Sequence, residues 1–134
     1  MEFNRFTSTD ALIVYSVYRP LNVEEVVGFK DIILFYDYIN HDVLSYEELN
    51  ERVNRLQAIG WLEVKQDGLR TTQKYHQWRS ETFKNKKPPS VQKEIKEITT
   101  CLQLNGSVLP TTACAVVSLD RANFEKARQQ YLSR

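Results

Sequence analysis

His41, His76, Cys101 and Cys114 are the side chains of this chain best suited to acid–base, nucleophilic or metal chemistry, and none has the neighbours that such chemistry needs. A histidine acting as general base requires a nucleophile or an orienting partner. The sequence holds no G-x-S-x-G elbow, no phosphate-binding P-loop and no glycine-rich dinucleotide turn. Four glycines in 134 residues leave little material for a loop that cradles phosphate. His41 lies in Asn40-His41-Asp42, a group of residues typical of a turn. The two cysteines stand apart, without a C-x-x-C or a His/Cys cluster at metal-ligand spacing. They read as buried thiols of a reducing compartment rather than as a disulfide. No catalytic residue, no metal ligand and no cofactor is therefore expected.

The charges are more informative. Residues 1–60 carry ten acidic and five basic side chains, whereas residues 61–87 carry seven basic and three acidic ones. A chain whose formal net charge is only +1 thus has one basic segment, able to attract an anionic polymer locally. A chain of 134 residues is long enough for a hydrophobic core without disulfides or metals. At 42% hydrophobic and 26% charged residues, its composition is that of a soluble globular protein. No apolar run approaches the roughly 20 residues that span a bilayer. The N-terminus lacks a basic stretch followed by an apolar one, so the expectation is a cytoplasmic protein with no membrane contact.

These residues must be positioned by elements that the hydrophobic spacing outlines. Thr7 to Asp10 offer caps for a first helix through Tyr18, apolar on nearly every side and so destined for deep burial or for a second subunit. Residues 22–28 read as a brief helix or an irregular turn. Ile32, Phe35, Tyr36 and Ile39 line one face of a helix from Phe29 to Asn40. Ser45 with Glu48 forms a capping box for a helix from Tyr46 to Ile59, whose inner side is Leu49, Val53 and Leu56. Gly60 is placed to end it in a left-handed conformation. The period then changes to two: Trp61 to Lys65, a turn at Gln66-Asp67-Gly68, and a return through Leu69 to Thr72. Further helices follow over Lys74 to Asn85, from Ser90 through the stripe Val91, Ile95, Ile98 and Leu102, and over Asp120 to Leu132. Residues 107–117 read as extended, with 113–117 a buried strand. Trp61, Tyr75 and Trp78 match core positions under the hairpin; their other reading is a stacking platform for single-stranded nucleic acid.

The order of helix, turn, capped helix, glycine, strand, tight turn and strand over residues 8–73 resembles the winged helix-turn-helix superfamily. Leu56-Gln57-Ala58-Ile59-Gly60-Trp61-Leu62 carries much of the likeness, as the end of a recognition helix running into the first wing strand. The resemblance implies an α+β, mostly α fold with a two-stranded wing and additional C-terminal helices. Residues 1–85 would form the winged-helix domain, and residues 86–134 a helical extension packed on it or dimerising.

It further implies that helix 46–59 enters the major groove with Asn50, Asn54 and Arg55 nearest the base edges. Lys65, Arg70, Lys74 and Arg79 would contact phosphates, with His76, Lys84, Lys86 and Lys87 nearby. The function so implied is that of a double-stranded-DNA-binding transcriptional regulator acting as a homodimer. The outward face of the same helix, however, holds Glu47 and Glu51 beside Asn54, Arg55 and Ala58, and carboxylates repel phosphate. The alternative is a protein–protein interaction module that does not bind DNA, docking a basic partner on helix 46–59.

Overall fold

The computed structural model describes residues 6–22, 24–66, 68–84, 87–105 and 119–133. The elements run α1 (Ser8–Val17), β1 (Val27–Gly28), α2 (Phe29–Asn40), α3 (Tyr46–Ala58), β2 (Leu62–Lys65), β3 (Gly68–Thr71), α4 (Gln73–Thr82), α5 (Val91–Asn105) and α6 (Arg121–Leu132). The fold is α+β and mostly helical, with one small antiparallel sheet in the order β1-β3-β2. The strand expected at 113–117 and Cys114 lie outside the described residues.

α1 is apolar all round because it is the central rod. Ala11, Leu12, Ile13, Val14 and Val17 are all buried, and α1 packs against α2, α3, β3 and α5. Its buried Ser16 hydroxyl donates to the Leu12 carbonyl at 2.8 Å, so no polar atom of that side chain is stranded. The reciprocal capping box belongs to this helix: Thr7 caps it, and the Asp10 carboxylate accepts from the Thr7 backbone N–H at 2.8 Å. At α3 only half of the expected box forms. Ser45 accepts from the Glu48 N–H, while the Glu48 carboxylate turns 3.8 Å from Arg52 Nε.

α3 ends in a Schellman motif. Gly60, at φ +82°, donates to the Gln57 carbonyl, and Trp61 donates to that of Leu56, both at 3.0 Å. The chain then enters β2, which pairs with β3 so that Glu63 faces Arg70 and Lys65 faces Gly68.

The two-stranded wing expected from the sequence is corrected to three strands. Residues 27–28, expected as turn or brief helix, form β1 and pair with β3 through Val27–Leu69 and Gly28–Gly68. Two residues are too few to show a period of two, so this strand has no sequence signature. Its signature is a clash avoided. A Cβ on Gly68 would lie 2.0 Å from the Val27 carbonyl oxygen, so only glycine lets the two backbones approach.

The two C-terminal helices share the core of the rest. Ile98 and Leu102 of α5 and Phe124 and Tyr131 of α6 are buried in the same cluster as α1 and α2. α5 lies on α1, and α6 lies on α2. For the apolar stripe of α5 the sequence left open packing on the rest of the chain or pairing with a second subunit; its Ile98 and Leu102 are buried within the chain's own core, while Val91 stays exposed.

Candidate functional site

α3 is the element to which the sequence assigned base reading, and the fold uses most of its polar side chains internally. Arg55, only 12% exposed, points inward with Nη2 3.8 Å from the buried Asp10 carboxylate and its guanidinium 5.9 Å from the Phe6 ring. Its expected outward position is corrected. Asn50 Oδ1 accepts the Leu119 backbone N–H at 2.9 Å, and Tyr46 Oη donates to the Leu119 carbonyl at 2.8 Å. These two bonds pin the entry to α6 against the first half of α3. Asn54 Nδ2 donates to the Asn50 carbonyl at 2.8 Å. Glu47 and Glu51 are the exposed positions of α3, and Glu47 pairs with Arg121 of α6 at 2.8 Å. Glu47's own backbone N–H and Arg121 together hold its carboxyl below the usual range.

The cations of the hairpin and α4 are similarly engaged. Arg70 donates from Nε at 3.1 Å and from Nη2 at 2.8 Å to Oε1 of Glu63, its cross-strand neighbour. Lys65 approaches the other oxygen of Glu63 at 3.8 Å, so two cations share one carboxylate at the sheet. The hydrogen bond from Arg70 keeps the Glu63 carboxyl below its usual range. Lys74 Nζ donates to the Ile59 carbonyl at 2.7 Å and so caps the end of α3. The Lys65 side chain is nevertheless 39% exposed, and Lys74 is exposed at the surface. Trp61, Tyr75 and Trp78 pack on one another with centroids 5.1–5.9 Å apart, and Tyr75 and Trp61 are buried, which removes the stacking platform.

Arg79 has the most defined setting. Nε and Nη2 reach Oε2 and Oε1 of Glu94 at 3.0 and 2.9 Å, a bidentate pair joining α4 to α5. Its guanidinium lies 4.5 Å over the Tyr18 ring. Burial works against the Arg79 charge, but the bonds from Glu94 outweigh it and hold the guanidinium firmly protonated. Glu94 was missed by sequence reasoning, although a signal existed. It falls on the apolar stripe, three residues after Val91 and four before Ile98, where a carboxylate must find a partner. The pair forms one wall of a cavity of 190 Å³, with Tyr15, Tyr18, Arg19, Pro20 and Phe35 around the rest.

On the opposite flank of α2, Leu34, Tyr38 and Leu132 are exposed, Tyr38 at 80%. Leu34 and Tyr38 border one surface depression with Asp37, His41 and Tyr131, and Leu132 borders a second with Asp37, Val43 and Tyr131. Tyr131 donates to the Asp37 carboxylate there, fastening α6 to α2.

Comparison with protein-family models, curated proteins and solved structures finds no match. Among the described residues no helix is long and apolar enough to cross a membrane, and no three His, Cys, Asp or Glu side chains gather as metal ligands.

Proposed function

We propose that this chain is a winged-helix protein-interaction module that self-associates, rather than a reader of DNA sequence. The winged-helix assignment rests on the order α1-β1-α2-α3-β2-β3 and on the hairpin that follows α3 directly. The observation that carries the functional reading is the state of α3. Asn50, Asn54 and Arg55 are engaged within the fold, and the side chains it leaves exposed are glutamates. A helix of that kind meets a major groove with the wrong charge and with its base-reading groups turned away.

The contact surface of the module is the α2–α6 flank. Exposed aromatic and aliphatic side chains that cluster on a surface mark interaction sites, and tyrosine is among the residues that dominate interface energies. The two helices bordering this patch differ in sign. With its flanking Asp42, α2 carries Lys30 against Asp31, Asp37 and Asp42 and is net acidic; with its cap Asp120, α6 carries Arg121, Lys126 and Arg128 against Asp120 and Glu125 and is net basic by one charge. A two-fold axis through the patch sets each helix against its opposite, the self-complementarity that a homodimer requires.

Sedimentation equilibrium tests the reading. The wild-type chain is expected to form a dimer that Tyr38→Glu converts to a monomer without loss of helicity. A wild-type monomer at all accessible concentrations would refute it.

A second reading, a DNA-binding transcriptional regulator, is favoured by one observation: Lys65 at the end of β2 and Lys74 in the first turn of α4 put two surface cations next to the hairpin. Fluorescence anisotropy of a labelled duplex at two salt concentrations separates the two readings. Affinity that falls steeply with salt and weakens in Lys65→Ala would favour the regulator; no binding at low salt favours the module.

A further inference from the structure

We propose that the junction of α1, α2, α4 and α5 is a binding site for a small planar organic acid, one aromatic ring bearing one carboxylate. The cavity there measures 190 Å³. That is below the roughly 300–1,000 Å³ typical of pockets for drug-sized ligands, and it limits the occupant to about a single ring. Tyr15, Tyr18 and Phe35 line it with aromatic surface, which selects a flat apolar body.

The sign of the ligand follows from the charges. Glu94 presents both oxygens to Arg79, so this pair is internally neutral. Arg19 lies on the same cavity, and among the described residues no carboxylate forms an ion pair with it. Its charge is therefore the net charge of the site. Arg19 donates from Nη1 to the carbonyls of Ser16 and Tyr18, at 2.8 and 3.0 Å, and its guanidinium stacks 4.6 Å over Phe35. Those contacts hold the group in place and leave Nε and Nη2 as donors, an arrangement suited to a carboxylate and costing little side-chain entropy on binding. One cation matches one carboxylate and leaves a phosphate dianion half compensated. Tyr15 adds a donor of its own, because burial and the nearby Glu94 keep its phenol protonated. The cavity touches the helices that carry the winged unit and the one that follows it, so an occupant bridges both.

The test titrates benzoate into the full chain and follows amide shifts by NMR, with benzamide and acetate as the uncharged and ring-free controls. Benzoate is expected to bind in the millimolar range or tighter, shifting residues around Tyr15 and Phe35, with both controls at least about tenfold weaker. Arg19→Gln is expected to weaken benzoate by at least about tenfold, and Phe35→Ala, at a position already 40% exposed, provides a second variant that spares the core. Equal binding of benzoate and benzamide, unchanged affinity in both variants, or no shifts with benzoate would each overturn the site. None of these outcomes depends on the oligomeric state or on duplex binding.

Discussion

Arg52 Nη1 of α3 lies 3.0 Å from Oδ2 of Asp10, a carboxylate wholly buried in the first turn of α1. This contact joins the helix that would read bases to the central rod of the core. The same carboxylate closes the capping box with Thr7 and draws in Arg55. The basic side of α3 is thus a structural seam.

Removing that seam should be costly. Asp10→Ala is expected to destabilise the fold by roughly 2–4 kcal/mol, since it deletes a cap and removes the buried carboxylate that Arg52 and Arg55 face. Chemical denaturation checks the value. Arg52→Ala adds a pH signature. Burial pushes the Asp10 carboxyl above its usual value, against the pull of the Thr7 N–H and of Arg52 and Arg55. A raised carboxyl favours the fold at low pH and loses that contribution as pH rises through the folded value. The melting-temperature deficit of Arg52→Ala should therefore shrink on acidification.

Two glycines are required for different reasons, and their alanine variants should differ. Gly68→Ala drives a Cβ into the Val27 carbonyl, and overpacking against backbone costs about 1–3 kcal/mol. Loss of amide-exchange protection at residues 27–28 should accompany it. At Gly60 there is room for a Cβ, with Lys74 Cδ at 3.4 Å, but φ is +82°. Gly60→Ala should cost roughly 1–2 kcal/mol from the left-handed backbone alone and leave β1 protected.

Arg79→Met strands the Glu94 carboxylate, which is only 5% exposed. The expected loss is about 3–5 kcal/mol, whereas Arg79→Met with Glu94→Met should recover most of it, because apolar replacement of both partners removes the desolvation cost. A double-mutant cycle by denaturant unfolding gives the coupling. Additive losses would show that the pair is not a unit.

His76 should contribute to acid sensitivity. Its Nε2 lies 2.6 Å from the Thr71 hydroxyl, and burial lowers its affinity for a proton, with Glu24 partly offsetting the effect. A histidine with a depressed folded value supports the fold above its ordinary value of about 6.5, and that support is lost as pH falls through the folded value. The melting temperature of wild type is expected to fall between neutral pH and pH 5 by more than that of His76→Gln.

The sequence by itself determined the helices, the hairpin and most of their ends, because these depend on interactions within a few residues. Thr7, Ser45 and Gly60 act on backbone groups at most four positions away, and the change from a 3.6-residue to a 2-residue period after Gly60 is a local pattern. It also showed which helix would be apolar all round. Tertiary structure alone decided where the charges went. Arg55 faces Asp10 across 45 positions, Arg79 meets Glu94 across 15, and Asn50 holds Leu119 across 69. A helical wheel assigns Arg55 to the outward side because it counts only apolar neighbours, whereas a buried carboxylate on another helix draws a guanidinium inward. Strand β1 shows the same limit, since two residues become a strand only when a glycine brought from 40 positions away lets their backbones meet. The aromatic cavity at Arg19 follows from that packing: its walls come from four helices and one loop, and no stretch of sequence holds more than a fragment of it.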